Sequence, residues 1–405
     1  MIPVPEAIRI VLEQTRALPF EEVALGEARG RVLAEDIVAD TDLPPFDRAL
    51  MDGYAVRAGD TRGAPVSLRL VGEAAAGKGW RGTLGAGEAV RIMTGAPLPA
   101  GADSVQQVEL TRESDEGERV EVDKQTEPGQ FITRRATEVK QGETVLRAGQ
   151  VLNAACLAAL ASFGCARVRV GARPRVAVLA TGTELVAVEE RPGPDQIRDS
   201  NSYSLAGYAE AANAVVERMP FAVDDEALLG KLIGECAEHS DVVVLSGGVS
   251  MGVYDFTKAA LHALGAEIFF ERVALRPGKP TVFARLPNGR GTLVFGLPGN
   301  PVSVSVTFNL FARAALLRMQ GATNPALAEE RAVLARDVRG AGPRASYLPA
   351  ALQADEAGRL VAGPLRWGGS SDFVAFTRAE ALLIVPENVK QLDAGSVVRV
   401  VRLPG

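Results

Sequence analysis

Residues 241–252 read Asp-Val-Val-Val-Leu-Ser-Gly-Gly-Val-Ser-Met-Gly, an apolar run that opens directly into a stretch of glycine and serine. The succession of apolar residues in Asp241–Leu245 predicts a strand that is buried on both faces. Glycines at the exit of such a strand let backbone N–H groups approach a phosphate, and serine hydroxyls add donors. The segment therefore predicts a buried strand with an anion-binding loop at its end.

Strands and helices alternate on both sides of this segment. The patterns predict strands at Val176–Ala180, Glu267–Leu275 and Leu293–Gly296, and helices at Tyr203–Ala214, Glu226–His239, Phe256–Leu264 and Pro301–Met319. Such alternation over roughly 145 residues is typical of a doubly wound, mostly parallel sheet. Ligands of these sheets bind outside the carboxyl ends of the strands.

The regions that flank this alternation read as β structure. From about Phe46 to Arg135, glycines separate short runs of alternating apolar and polar residues, which predicts a β-rich module. Short strands return near the carboxyl terminus, at Arg331–Asp337, Ala381–Val385 and Ser396–Val401, and predict a small barrel or sandwich. The amino-terminal Pro5–Leu18 has helical apolar spacing. The predicted fold class is multidomain α/β plus β.

Composition narrows the possible functions. The chain has 405 residues, of which 47% are hydrophobic and 23% charged, which is ordinary for a folded protein of two to four domains. A net charge of −6 argues against nucleic acid as the main partner. We find neither an uninterrupted apolar run of membrane length nor a signal peptide at Met1–Glu6, and expect no membrane association. The three cysteines form no C-x-x-C pair, so the expected location is the reducing cytoplasm.

Two loops of the α/β region are candidate phosphate sites. The first contains Ser246, Gly247, Gly248 and Ser250, and the second, Gly296–Ser303, contains Pro298, Gly299 and Asn300. Asn300 is a candidate N-cap, and Pro301 suits the first position of the following helix. Either loop alone is compatible with a tight turn. Two of them at successive strand ends favour a binding site.

Charged residues are predicted at the same edge of the sheet. Arg276 and Lys279, in a proline-bounded turn, suit an oxyanion, although a plain charged turn fits as well. Glu184, Asp224 and Asp255 are candidate ligands for Mg²⁺, and each could instead be a cap or a solvated acid. Asp225 fits an N-cap. Asp52, in the β-rich module, reads locally as a turn aspartate before glycine.

Six segments occur in an order that resembles one family. They are Pro44–Ala55 (PPFDRALMDGYA), Arg91–Pro99 (RIMTGAPLP), Ala180–Leu185 (ATGTEL), Ser246–Gly252 (SGGVSMG), Arg276–Pro280 (RPGKP) and Gly296–Ser303 (GLPGNPVS). The chain resembles the MoeA family of molybdopterin molybdenumtransferases, which includes the E domain of gephyrin. The resemblance extends over nearly the whole chain.

The resemblance implies an elongated homodimer of four-domain subunits. Carried onto this sequence, it implies a helix at 1–24 that joins the α/β domain at 174–323, a linker domain at 25–45 and 141–173, a β-rich lobe at 46–140 and a β-barrel at 324–405. The α/β domain would be related to the adenylyltransferase that makes adenylylated molybdopterin.

The resemblance also implies a reaction. The family takes adenylylated molybdopterin and molybdate, inserts molybdenum into the dithiolene and releases AMP with the help of Mg²⁺. The catalytic residues implied are Asp52, Thr94, Glu184, Asp224, Asp255 and Lys279, with Asp52 and Thr94 reaching the site from the lobe of the partner subunit. The substrate contacts implied beyond the two loops are Arg276, Lys279, Arg134, Arg135, Arg344 and Ser370. The adenylyltransferase and molybdoenzymes are possible further partners.

Three departures from the family pattern bear on activity. Arg276 stands where the family has lysine, Thr133–Glu138 replaces an Arg-Arg-Arg-Gly-Glu-Asp stretch, and Val253 replaces an acid. They are compatible with drift or an altered anion preference, and also with a weakened paralogue that carries cofactor or acts as a scaffold. An adenylyltransferase is a third reading, although it would need neither the lobe nor the barrel. The sequence does not distinguish molybdate from tungstate.

Overall fold

The computed structural model describes residues 1–223, 225–248 and 256–404. Its helices are α1 (Val4–Gln14), α2 (Ala154–Ser162), α3 (Asn201–Ala211), α4 (Glu226–His239), α5 (Phe256–Ala263), α6 (Pro301–Thr307), α7 (Arg313–Met319) and α8 (Phe373–Phe376). Short 3-10 turns lie at Leu25–Glu27, Ala58–Thr61 and Val108–Leu110, and a π turn at Phe308–Ala312 joins α6 to α7.

The strands are given in chain order. The first part of the chain contains β1 (Phe20–Ala24), β2 (Ile37–Val38), β3 (Arg48–Ala49), β4 (Gly53–Val56), β5 (Val66–Ala74), β6 (Glu88–Ile92), β7 (Ser104–Gln107), β8 (Thr111–Glu113), β9 (Arg119–Val122), β10 (Ile132–Thr133), β11 (Thr144–Leu146) and β12 (Arg167–Gly171). The α/β region contains β13 (Arg175–Ala180), β14 (Leu185–Val186), β15 (Ile197–Arg198), β16 (Val215–Arg218), β17 (Val242–Ser246), β18 (Glu267–Phe270), β19 (Leu275–Arg276), β20 (Val282–Arg285) and β21 (Leu293–Leu297). The remainder contains β22 (Glu329–Leu334), β23 (Val338–Arg339), β24 (Ala345–Ala354), β25 (Leu360–Pro364), β26 (Ala381–Val385), β27 (Gln391–Leu392) and β28 (Val397–Arg402).

The α/β region forms the mostly parallel sheet that the alternation predicts. The strand order is β16-β13-β17-β21-β20-β18; the first four strands run parallel, and β20 is antiparallel to both of its neighbours. Successive residues of β13 point to opposite faces, so Val178 packs with α1, α3, α6 and α7, and Leu179 packs with α4 and α5. Helices thus cover both faces, and the doubly wound prediction is confirmed.

Two details of that prediction are wrong. Glu267–Leu275 is not one strand: β18 lies at the edge of this sheet, whereas β19 pairs with β24 in a different sheet. The polar pair Glu271 and Arg272 separates the two, and hydrophobic alternation alone does not tell which sheet a strand joins. The sequence reading also missed β16 and β20, which are short strands of four residues.

Helix 301–319 is the buried centre of this region. Within the described chain it is the one helix long and apolar enough to cross a membrane, yet 89% of its apolar window is buried inside the protein. Ser303, Ser305, Thr307 and Asn309 interrupt its apolar residues, which is why no uninterrupted run marks it in the sequence. It is therefore a core helix.

The carboxyl-terminal strands close into a barrel. The order is β24-β25-β22-β28-β26, and β26 pairs back with β24, so the ring has no open edge. Its interior holds Leu334, Leu348, Leu383 and Val400. Of the two architectures that the sequence allows for this region, barrel and sandwich, the structure shows the barrel. Strand β19 adds to β24 in parallel and so connects the α/β region to the barrel.

The chain divides into two compact units, one formed by residues 1–35, 148–157 and 166–405, the other by residues 36–147 and 158–165. In the first, the side chains of Val4, Ala7 and Val11 on α1 join the core of the α/β region. The second contains a curled sheet of order β7-β4-β6-β5-β9-β8, so the β-rich module is confirmed. The finer four-part division stays a prediction.

Candidate active site

Three loops lie side by side at the carboxyl ends of neighbouring strands. Ala180 of β13 is opposite Ser246 of β17, and Ser246 is opposite Leu297 of β21. The Thr181 N–H donates to Ser246 O at 2.8 Å, and the Gly247 N–H to Leu297 O at 3.2 Å. The loops that begin at Thr181, Ser246 and Pro298 are thus bonded into one continuous edge, as the sequence predicts.

Glycine is required in the middle loop. Gly247 has a φ of 98°, and a Cβ there would lie 2.1 Å from Thr181 O. Gly248 has a φ of 64°, and a Cβ there would lie 2.8 Å from Thr257 Oγ1. Side chains at either position would clash and strain the backbone. Glycine at both positions therefore lets the loop pack closely on Thr181 and Thr257.

Asn201 ties the middle loop to the third one and was missed by the sequence reading. Its Nδ2 donates to Ser246 Oγ at 2.8 Å and to Gly299 O at 2.7 Å. The local signal was a capping pattern: Asp199 accepts from the Ser202 N–H at 3.0 Å, which fixes the start of α3. What Asn201 bonds depends on tertiary structure, so spacing in the sequence did not identify it.

Asn300 stands at the N-cap position of α6 with Pro301 at the first helical position, as predicted. Its side chain does not cap the helix, however; Nδ2 donates instead to Ser370 Oγ at 2.9 Å. Ser370 O accepts from the Val302 N–H at 2.9 Å and so takes over the capping. Ser370, which follows β25 of the barrel, is thereby brought to the third loop.

One of the predicted cations, Lys279, lies at the same edge, and the other two, Arg276 and Arg344, lie where β19 joins the barrel. Because β20 runs antiparallel to β21, Lys279, just before β20, lies beside the end of β21. Arg276 of β19 is opposite Ser346 of β24, and Arg344 directly precedes β24, whose Ala345 N–H donates to Ala274 O at 2.9 Å. Within the described residues none of the three cations forms an ion pair with a carboxylate. They remain available to an oxyanion.

The predicted acids are described only in part. Glu184 is exposed at the end of the first loop. Asp224 and Asp255, like Ser250 and Val253, lie outside the described residues. Asp225 is an N-cap: it accepts from the Leu228 N–H at 2.7 Å. In the described ranges, no three His, Cys, Asp or Glu side chains cluster as they would around a metal ion.

In the β-rich unit, Asp52 and Thr94 are in direct contact. Oδ1 of Asp52 accepts from the Thr94 N–H at 2.6 Å and from Thr94 Oγ1 at 2.7 Å. These bonds, the backbone one first, hold the pKa of the exposed Asp52 carboxyl below its usual range. The next residue, Gly53, must be glycine, because a Cβ there would lie 1.9 Å from Gln106 O. Asp52 is therefore presented as a fixed, ionised group.

Arg134 and Arg135 already have partners inside the same unit. Arg134 Nη1 lies 2.6 Å from Asp47 Oδ2, the Arg135 N–H donates to Asp47 Oδ1 at 2.8 Å, and Arg135 Nε bonds to Asp42. The bond from the Arg135 backbone and the Arg134 guanidinium lower the pKa of Asp47. The two arginines fasten the 134–137 turn to the Asp42–Asp47 segment. Their predicted contact with substrate stays a prediction.

Comparisons with known proteins cover the whole chain. Family profiles match a MoeA N-terminal region (domain I and II) at 2–164, a probable molybdopterin binding domain at 177–318 and a MoeA C-terminal region (domain IV) at 331–403. Molybdopterin molybdenumtransferase of Nostoc sp. is 36% identical over 397 residues, 95% of this chain and 89% of that protein. Molybdopterin molybdenumtransferase 2 of Mycobacterium tuberculosis is 38% identical over 416 residues, 99% of each. The crystal structure of the molybdopterin biosynthesis MoeA protein of Pyrococcus horikoshii OT3 covers 100% of both chains at 30% identity, with a TM-score of 0.82.

Proposed function

This chain belongs to the MoeA family, and on that premise we propose that it inserts molybdenum from molybdate into the dithiolene of adenylylated molybdopterin and releases AMP. As a member of this family it is a molybdopterin molybdenumtransferase of molybdenum cofactor biosynthesis. In the proposed reaction two Mo–S bonds replace two Mo–O bonds, and a phosphoanhydride P–O bond is hydrolysed. The two displaced oxygens leave as two water molecules. Hydrolysis of the phosphoanhydride consumes one water, so the net reaction releases one.

One observation carries the proposal: the glycine loop after β17 and Lys279, which has no carboxylate partner among the described residues, share one sheet edge. The glycine-containing Ser246–Gly248 loop suits the phosphoanhydride, apart from the Gly247 N–H, which already donates to Leu297 O. Arg276, Lys279 and Arg344 suit the doubly charged molybdate, and Ser370 is hydrogen-bonded to Asn300 of the third loop. We therefore assign phosphate binding to the loops and molybdate binding to the cations. In the part of the chain that the structure describes, these cations have no carboxylate partner, which supports an anion-binding role for them.

Mg²⁺ fits this edge as a cofactor shared with the substrate. Mg²⁺ is usually held by one or two carboxylates together with phosphate oxygens. Glu184 supplies an exposed carboxylate beside the loops and would hold the ion. When bound, the ion would neutralise charge on the phosphoanhydride. Asp224 and Asp255 stay candidate ligands from the sequence.

We further propose a homodimer in which Asp52 and Thr94 of one subunit complete the partner's site. The resemblance supports this arrangement, and the fixed, ionised Asp52 supports a role in chemistry. The adenylyltransferase and molybdoenzymes are the proposed further partners, because one makes the substrate and the others take the product. The buried helix 301–319 is compatible with the proposed cytoplasmic location.

Single-turnover release of AMP from adenylylated molybdopterin tests the function. With Mg²⁺, wild-type protein is expected to release AMP only when molybdate is added. Lys279→Ala should abolish release while the circular dichroism spectrum and melting temperature stay unchanged. Lys231→Ala is the control, since Lys231 is an exposed lysine on α4. Full turnover by Lys279→Ala, or release independent of molybdate, would overturn the assignment; consumption of ATP with molybdopterin would indicate the adenylyltransferase instead.

A further inference from the structure

A cleft of about 300 Å³ lies beyond the carboxyl end of β16, at the outer end of the sheet edge described above. It is lined by Ala187, Val188, Glu189, Asp199, Tyr203 and Arg218, and by residues 219–221, which follow β16. Its volume lies at the lower end of the range of about 300–1,000 Å³ for small-molecule sites. No residue predicted from the sequence lines it, so its role is open.

The strand order fixes where this cleft stands relative to the rest of the site. Along the edge the sequence of features is the cleft at β16, the Thr181 loop at β13, the Ser246 loop at β17, the Pro298 loop at β21 and Lys279 at the start of β20. Lys279 and the cleft are therefore at opposite ends, with the phosphate loops between them. Neighbouring strands are about 4.8 Å apart, so the cleft is about 10 Å from the Ser246 loop.

This order gives the substrate a direction, if the proposed function holds. Molybdenum enters the dithiolene, so the pterin half of the substrate must face the cations. The phosphoanhydride lies in the middle of the substrate, at the loops. The nucleoside must then extend away from the cations, toward β16. We propose that the cleft at β16 binds the adenine ring of adenylylated molybdopterin and of the product AMP.

The chemistry of the cleft suits a flat, amine-bearing ring. The guanidinium of Arg218 stacks on the ring of Tyr203, with its Cζ 3.5 Å from the ring centroid, and both are flat surfaces on which a base can stack. Met219, Pro220 and Phe221 provide apolar walls. A purine is the part of the substrate that matches such surfaces.

Glu189 supplies the polar contact. Asp199 is already bonded to the backbone N–H and the hydroxyl of Ser202. Within the described chain the exposed carboxylate of Glu189 has no hydrogen bond or ion pair, so it is free to accept from the exocyclic amine of adenine. A base with a carbonyl at that position, such as hypoxanthine, would instead face the carboxylate with an acceptor.

Calorimetry with AMP, IMP and pyrophosphate on the full-length protein tests the proposal. Tyr203→Ala should weaken AMP binding about tenfold, as loss of one base stack does elsewhere, and leave pyrophosphate binding unchanged. Arg218→Met should act in the same direction, and Glu189→Gln should reduce the preference for AMP over IMP. Phe20→Ala is the matched control, because Phe20 is also an exposed ring beneath an arginine, Arg169.

Two results would overturn the proposal. One is AMP binding as tight in Tyr203→Ala and Arg218→Met as in the wild type; the other is an equal loss of AMP and pyrophosphate binding. Molybdate-dependent AMP release by the wild type is measured separately. If it is absent while AMP binding still depends on Tyr203, the proposed function fails and the nucleotide cleft stands. If molybdate-dependent release is present but AMP binds Tyr203→Ala as tightly as the wild type, the cleft assignment is wrong and the proposed function stands.

Discussion

At the scale of single residues, Ala136 shows the cost of a departure from the family pattern. It stands where the resemblance implies glycine, and its φ is 61°. Non-glycine residues pay roughly 1–2 kcal/mol in this region. Ala136→Gly is therefore expected to stabilise the β-rich unit by about 1 kcal/mol, less what glycine loses in the unfolded chain. Denaturant unfolding followed in this unit measures the difference.

The reciprocal variant is the control. Gly142, in the same unit, has a φ of 89° and open space where a Cβ would go. Gly142→Ala should destabilise by about the same 1 kcal/mol, from backbone strain alone. If Ala136→Gly lowers stability while Gly142→Ala also lowers it, the turn does not store the strain assigned to it.

The contact between Asp52 and Thr94 predicts a pH dependence with a definite sign. An unfolded aspartate has a pKa of about 3.9, and the bonds from Thr94 lower the pKa in the folded protein. A lowered folded pKa contributes stability that is complete above about pH 4 and is lost as the pH falls through the folded value. An NMR titration of the Asp52 carboxyl should give a midpoint below 3.9.

Thr94→Ala should move that midpoint upward without restoring the full unfolded value, because the Thr94 backbone N–H still donates to Asp52 Oδ1. Thr144→Ala, which replaces an exposed threonine of the same unit, should leave the midpoint unchanged. A wild-type midpoint at or above 3.9 would contradict the prediction.

At the scale of elements, helix α3 holds the two phosphate loops in place through Asn201. Asn201→Ala removes both donors and leaves Ser246 Oγ and Gly299 O without them. We expect a loss of stability of about 1–3 kcal/mol, at about 0.5–1.5 kcal/mol per bond. We also expect a higher KM for adenylylated molybdopterin, because the loops lose their fixed spacing.

The isosteric Asn201→Asp separates hydrogen bonding from shape. An ionised aspartate has the size of asparagine but no donor, so it should lose at least as much as Asn201→Ala. Glu210→Ala, an exposed change on the same helix, should alter neither KM nor stability. Wild-type KM in Asn201→Asp would show that the two bonds do not position the loops.

The same elements show which features of the fold and of the site can be predicted from local sequence. An apolar run followed by glycines marks a buried strand and its loop, so Val242–Ser246 and Gly247 could be predicted from local pattern. The pairing of β19, which ends in Arg276, with the chain just after Arg344 joins residues about seventy positions apart. No local pattern encodes such a pairing. Asn201 and the cleft at β16 were missed for the same reason.

At the scale of the whole molecule, the proposed dimer makes a quantitative prediction. If Asp52 acts in the partner's site, an equimolar mixture of Asp52→Ala and Lys279→Ala subunits regains activity. A heterodimer then has one site with both residues intact and one with neither. Half of the dimers are heterodimers and each has half of its sites, so about a quarter of wild-type activity should return after subunit exchange.

If each site instead used Asp52 and Lys279 of the same subunit, the mixture would have no activity, because every site would lack one of the two residues. Each variant alone should be inactive, and a sedimentation experiment should give the mass of a dimer for both. Exchange of wild type with the double variant Asp52→Ala, Lys279→Ala is the control, since a trans site leaves its heterodimers without an intact pair. If that heterodimer is active and the mixture of single variants is inactive, Asp52 acts in the site of its own subunit.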